Sequence, residues 1–248
     1  MAMDAGIGPR YQESTKYYRQ RMSAPPSWIA PVPPYKMYEN PLRHVELPEA
    51  ELDAGPGLWK TIAERRSRRD FAEQPMSLAQ LAQLIRAVQG VTSGENAPAL
   101  RAAPSAGALY PLETYLFVRN VSDCPAGIYH YEVLEARLAM LAEGDFAVEL
   151  AQACLDQDFC AEAGAVFVWG AVVPRSAQKY ADRAYRYVYM DAGHLGAHLQ
   201  LAATALELGS VNIGAFYDEE VNRLLGLDGS AETVVYLAAV GTLKADSA

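Results

Sequence analysis

The sequence is short of several things. It holds only three cysteines in 248 residues, Cys124, Cys154 and Cys160, and no CxxC pair. An odd, scattered set of thiols makes neither a disulfide framework nor a metal site, so these read as reduced and mostly buried. Positive charge is scarce: 21 Lys and Arg stand against 30 Asp and Glu, a net charge of −9. Phosphate backbones attract basic faces, which argues against a nucleic-acid partner. No apolar run reaches the ~18–20 residues that a membrane span needs. The N-terminal "MAMDAGIGPRYQESTKYYRQRM" lacks the apolar centre of a secretory signal, so the cytoplasm is the expected compartment. Neither the GxGxxG of a dinucleotide fold nor the GxxxxGK[ST] of a phosphate loop occurs. A phosphate bound here must be held by side chains.

What is present begins with proline. Residues 1–56 hold nine of the fifteen prolines, including "SAPPSWIAPVPPYKMYENP". Proline fixes φ and removes a donor, so this stretch excludes long helices and central strands. It also carries Trp28, Ile29, Tyr35, Met37 and Tyr38, more than a disordered tail would. It reads as an extended arm (1–56) lying on the body (57–248) or on a neighbouring subunit.

The body shows regular periods. "GLWKTIAERR" suits a short helix. Residues 77–90 predict a helix with Leu78, Leu81, Leu84, Ile85 and Val88 on one face, a Ser77/Gln80 capping box and a stop at Gly90. Residues 91–111 read as a loop and 112–119 as a strand. Residues 127–142 read as a hairpin turning near Glu135–Ala136, 145–155 as a helix, and 164–173 as a central strand. Residues 185–209 read as a long helix, apolar nearly all round and therefore buried. A strand over 210–216, a helix over 218–226 capped by Asp218, and a strand over 233–241 complete the pattern. Without strict βαβ alternation, this predicts an α+β fold with helices on a sheet.

Four stretches could carry chemistry. "ERRSRRDF" packs Arg65, Arg66, Arg68 and Arg69 around Ser67 in an acidic chain. Guanidinium groups match phosphate oxygens, although a charge run also serves as a solvated helix end. Small residues at Pro104, Ser105, Ala106 and Gly107 let backbone amides approach a flat or anionic ligand, or make an ordinary tight loop. Ile213 and Gly214 could run under a ring, or form a core strand with a bulge. Lys179 could act as a base if burial lowered its pKa, with Tyr180 beside it, or both could be plain surface. Adjacent helical residues diverge, so the pair can share a site only in a loop or at a helix end. His194 and His198 have the i, i+4 spacing of a metal pair but lie in an apolar helix without a glutamate between them, so no metal is expected. Ser105 has no histidine near it in sequence to activate it as a nucleophile.

The order of these motifs resembles the nitroreductase flavoprotein superfamily: "ERRSRRDF", the capped helix, "PSAGALYPLETYLFV", "GIYHYE", "KYADRAYRY", then "SVNIGAF". Within it, the chain is similar to the SagB-type (azoline) dehydrogenase branch, over about residues 60–242, and "YQESTKYYR" looks like the start of that branch. The resemblance implies an FMN-binding α+β fold with a central, mostly antiparallel sheet, interlocked as a homodimer with flavin sites at the interface. It assigns the FMN phosphate to Arg65, Arg66, Ser67 and Arg69. It assigns the covering loop, given by the other subunit, to Pro104, Ser105, Ala106 and Gly107. The path along flavin N5 falls on Ile213, Gly214 and Ala215, and a polar contact on Gln157. The basic residues that close the phosphate site in many relatives are reduced here to Lys244. Lys179 and Tyr180 match the branch's catalytic pair.

The implied reaction is oxidation of an azoline-like or other small heterocycle, in which a base takes a proton from carbon while hydride leaves for the flavin. The alternative is an NAD(P)H-dependent reductase of nitroaromatics or quinones, which needs no such base. A third reading is a flavin-binding or flavin-consuming protein without a separate redox substrate, and the last a plain α+β domain with an exposed arginine cluster. No separate leader-binding domain is evident, so a peptide-cyclodehydratase partner is expected unless the substrate is small.

Overall fold

The computed structural model describes residues 6–19, 32–53, 55–93 and 99–245. The expected arm contacts of Trp28 and Ile29 lie outside these. In chain order the elements are α1 (Ile7–Ser14), β1 (Arg43–Glu46), α2 (Leu58–Glu64), α3 (Leu78–Gln89), β2 (Val91–Ser93) and β3 (Leu100–Arg101). Then come β4 (Leu112–Val118), β5 (Gly127–Glu132), β6 (Arg137–Glu143), α4 (Ala147–Ala153), α5 (Phe159–Glu162) and β7 (Ala165–Val172). The chain closes with α6 (Val173–Tyr180), α7 (Ala184–Ala205), β8 (Leu208–Ile213), α8 (Asp218–Leu225) and β9 (Glu232–Thr242).

Seven strands form one sheet in the order β1-β6-β5-β4-β7-β9-β8, every pair antiparallel. Helices cover both faces, so β4, β5 and β7 are buried along their whole length. That is why β7 reads as an unbroken apolar run rather than an alternating one. Phe167, Trp169 and Ala171 of β7 point into the core under α3 and α7, while Val166 and Val168 point into the other, under α4, α5 and α8. α3 begins as the sequence predicts, with the reciprocal Ser77/Gln80 capping box, and buries Leu81, Leu84, Ile85 and Val88. Each of these side chains contributes roughly 1.5–3 kcal/mol of burial.

The structure departs from the sequence reading in five places. Residues 91–111 are not all loop, because β2 and β3 pair across it. The arm supplies a strand: β1 adds to the sheet edge beside β6, where only one side needs backbone partners. β7 runs straight into α6, with Pro174 in the first turn, where its missing N–H costs nothing. Asp218 is not the cap of α8. It is the first helical residue, and with Glu219 and Glu220 it faces the positive end of the helix dipole. α7 is not buried all round: Val188, Asp191, Ala192, Leu195 and Leu199 face inward, whereas Tyr185, Tyr189 and Met190 are exposed.

The described part of the arm rests on its own chain. Arg175 Nε donates to Pro33 O at 2.7 Å, and Ala99 N donates to the Tyr35 hydroxyl at 3.1 Å. Lys36 Nζ enters a polar cluster of Tyr115 and Glu232 at 2.7 and 2.6 Å. None of the described helices is long and apolar enough to cross a membrane. The three cysteines are free and buried, and no metal-binding group of His, Cys, Asp or Glu exists among the described residues.

Candidate functional site

The predicted site residues fall into two groups. The first lines the free edge of β8. After α2 the chain turns extended at Arg65 (φ −53, ψ 124), and Arg68 N donates to Ser210 O at 2.9 Å. Arg65 reaches Gln200 of α7 at 3.4 Å, whereas Arg69 lies 5.6 Å from the Phe159 ring. Arg66 donates to the carbonyls of Ala63 and Arg65, and Ser67 is exposed. None of Arg65, Arg66 and Arg69 has an ion-pair partner among the described residues. That is unusual in a chain of net charge −9, where carboxylates outnumber cations.

An open groove of about 670 Å³ adjoins this segment, lined by Arg66, Arg68, Thr204, Glu207 and Lys244 among others. Lys244 also contacts Glu162 at 3.4 Å. Further along the edge, Ile213 is buried and pairs with Leu237. Gly214 lies open, a Cβ there meeting only Tyr236 at 3.8 Å. Gln157 Nε2 donates to Ala215 O at 3.0 Å and to Cys154 O at 2.6 Å, so it does join this group.

The second group is closed and tightly bonded. Ser105 Oγ donates to Asp191 Oδ2 at 2.6 Å and accepts from Tyr110 N at 2.9 Å. Ala106 N donates to Asp191 Oδ1 at 3.2 Å, and Pro104 O contacts His194 Nδ1 at 3.2 Å. Burial raises the Asp191 pKa, and the Ser105 hydroxyl and Ala106 amide only partly offset it. Gly107 sits at φ +65, with Ala108 and Tyr110 also at positive φ. A Cβ on Gly107 would come within 2.7 Å of Lys179 Nζ and closer still to Tyr180 Oη. Lys179 and Tyr180 end α6, where Ala181 breaks the helix at φ 49, ψ −139. That break lets adjacent side chains meet over one glycine.

A buried ion cluster braces this second group. Arg175 of α6 contacts Glu113 at 2.6 Å and Tyr110 O at 3.3 Å, and His130 contacts Glu113 at 2.8 Å. Burial alone would raise the Glu113 carboxyl, but the His130 hydrogen bond and the Arg175 charge hold it at about 2.

Sequence reasoning missed Asp191 and the Glu113 cluster. Asp191 had a usable signal: it lies three residues after Val188 and four before Leu195, on the inward face of α7. His194 and His198 each contact a backbone carbonyl, of Pro104 and Ala87. The two groups are separated in one chain. Asp191 and Gln200 are nine residues apart on α7, about 13 Å along the axis.

Several known proteins share this fold and sequence. A protein of Methanocaldococcus jannaschii named as a nitroreductase is 36% identical over 181 residues, 73% of this chain and 88% of that protein. The trifolitoxin-processing protein TfxB of Rhizobium leguminosarum bv. trifolii is 30% identical over 140 residues, 54% of this chain and 38% of that one. A crystal structure of a nitroreductase-type protein from Anabaena variabilis superimposes with a TM-score of 0.66 at 34% identity. It covers 75% of this chain, which spans only 38% of it. A chain of the Escherichia coli microcin synthetase McbBCD complex, with truncated pro-MccB17 bound, shares the fold with a TM-score of 0.62. It is 18% identical and covers 98% of this chain and 84% of its own length. The nitroreductase family model matches residues 62–242, and this chain belongs to the nitroreductase family, whose homologues are FMN-dependent oxidoreductases.

Proposed function

We propose that this protein binds FMN and oxidises an azoline-like heterocycle, in the manner of a SagB-type dehydrogenase. The residues fit the cofactor. Three guanidinium groups without carboxylate partners among the described residues (Arg65, Arg66, Arg69) stand beside Ser67 on the β8 edge and suit a phosphate. Ile213, Gly214 and Ala215 continue that edge where Gly214 leaves open space for a ring, with Gln157 alongside. Because Pro104–Gly107 lie elsewhere on the same chain, a second copy would supply them, which makes the active form a homodimer. When bound, FMN would supply the two-electron acceptor.

The observation that carries the dehydrogenase reading is the meeting of Lys179 Nζ and Tyr180 Oη over Gly107. Lys179 Nζ would take the proton from the substrate carbon, and Tyr180 Oη would hold the heterocycle or assist the transfer. Asp191 keeps the 104–107 loop in place through Ser105 and Ala106. The trifolitoxin-processing name of one relative favours a peptide-derived substrate, presented with a cyclodehydratase partner. An NAD(P)H-dependent nitroaromatic or quinone reductase is the second reading, favoured by the name of the Methanocaldococcus relative.

FMN titration of the purified protein tests the cofactor. Arg66→Ala should weaken binding by roughly 10–150-fold, the equivalent of one charge-assisted contact of ~1.5–3 kcal/mol. A colourless protein that ignores added FMN, or a variant that binds it equally well, would reject the assignment. Rapid anaerobic bleaching of bound FMN by NADPH would favour the reductase; slow bleaching supports the dehydrogenase.

A further inference from the structure

Thr15 is out of place for a residue of an exposed arm. It follows α1, which buries no residue, yet Thr15 is only 5% exposed. Its Oγ1 donates to Tyr11 O at 2.7 Å and accepts from Arg186 Nε at 2.7 Å. Its carbonyl accepts from Arg183 Nη1 at 2.6 Å, and Arg186 also donates to Gln12 O. Tyr11 Oη donates to Asp182 O at 3.2 Å. Two arginines thus spend their donors on the backbone of a segment some 170 positions away in the chain, and the point they hold is the elbow between α6 and α7.

That elbow carries Tyr180. The Arg183 guanidinium lies 4.3 Å from the Tyr17 ring, and its Nε donates to Tyr187 Oη at 2.9 Å. The Tyr187 ring meets the Tyr180 ring edge-on, with centroids 4.6 Å apart at 61°. Tyr180 Oη then reaches Gly107 beside Lys179. Between the two ends of this chain sits Ala181, a non-glycine residue at φ 49, ψ −139. Such a conformation costs of order 1–3 kcal/mol and persists only when its surroundings hold it. The surroundings here are the arm.

We infer that the segment Tyr11–Tyr17 positions Tyr180 and Lys179, acting through Arg183 and Tyr187. This rests on the reading that Lys179 and Tyr180 carry the chemistry. Thr15, Arg183 and Tyr187 are positioning residues: they hold the elbow that aims the pair at the 104–107 loop. The arm is therefore part of the working site and not a linker to it.

The test uses the full chain and two variants, Thr15→Val, which keeps shape but loses both hydroxyl bonds, and Arg183→Gln. Amide hydrogen exchange over residues 180–184 should speed at least tenfold in both, with β7 unchanged, whereas Thr15→Ser should stay within twofold of the parent. Fluorotyrosine at position 180 should show its ¹⁹F resonance move toward the free-tyrosine position in both variants and return in Thr15→Ser. Unchanged exchange and resonance in Thr15→Val and Arg183→Gln would overturn the inference, as would acceleration spread evenly over the sheet. With a thiazoline carboxylate as probe, turnover should fall about tenfold while FMN affinity stays within twofold. A parent protein that fails to oxidise the probe would count against the proposed reaction alone, because exchange and resonance judge the arm without flavin or substrate.

Discussion

The β8 edge and the α6–α7 elbow are built in opposite ways. Along the edge, Arg65, Arg66 and Arg69 have no carboxylate partners among the described residues, Ser67 is exposed and Gly214 has space around it. At the elbow, Ser105, Ala106, Asp191, Lys179 and Tyr180 are locked by short hydrogen bonds, close approach and positive-φ backbone. The internal acceptors of Arg65 and Arg66 on this edge are neutral, so an incoming anion competes with weaker partners. The elbow has its strain and bonding settled in advance, which is what a group that must be aimed requires. On the proposed function, one region binds and the other acts.

The largest effect expected from breaking that division is at Lys179. In Lys179→Ala, oxidation of a thiazoline-bearing peptide should fall ~10²–10⁴-fold, the usual worth of a general base. FMN affinity, followed by quenching of flavin fluorescence, should stay within about twofold. A variant that loses FMN instead would merge the two regions into one. Persisting turnover would remove Lys179 as the base.

Next in size is the brace beneath the elbow. Glu113→Gln leaves Arg175 without its buried carboxylate and should lower the unfolding free energy by ~3–5 kcal/mol in urea at pH 7. The same carboxyl links stability to acid. It sits at about 2 in the folded protein against an ordinary 4.5, so its contribution is complete above pH 4.5 and disappears as the pH falls through about 2. The parent protein should therefore lose stability more steeply over that interval than Glu113→Gln does. Parallel urea curves for the two proteins from pH 5 to pH 2 would show the brace to be dispensable.

The two regions also differ in how far they could be read from the sequence. The edge was legible because it rests on composition: four arginines around Ser67 stand out in an acidic chain whatever the fold. The capping box at Ser77 and the hairpin of β5 and β6 were legible because their signals are local. The elbow was legible only in part. That Lys179 and Tyr180 could share a site required a helix to end at Tyr180, and no Gly or Pro marks that end; Ala181 does it through tertiary restraint. Glu113 and His130 lie in strands buried on both faces, so no alternation separates them from their apolar neighbours. β1 escaped because a short strand at a sheet edge needs a partner to define it, and β6 is about a hundred residues away.

Two glycines sharpen the comparison at the smallest scale. Gly107→Ala forces a Cβ against Tyr180 Oη and Lys179 Nζ at φ +65, and should destabilise the protein by ~1–3 kcal/mol while displacing the pair. Gly214→Ala meets only Tyr236 at ordinary contact distance, so thermal unfolding without flavin should move by no more than ~0.5 kcal/mol. The added methyl nonetheless occupies the space assigned to the ring, so FMN affinity should fall even though the fold does not notice. If Gly214→Ala weakens the protein as much as Gly107→Ala does, the edge is packed for its own sake and is not held open for a ligand. If it changes neither stability nor FMN binding, the ring lies elsewhere along β8, and the arginines grip a tail that leads away from Gly214.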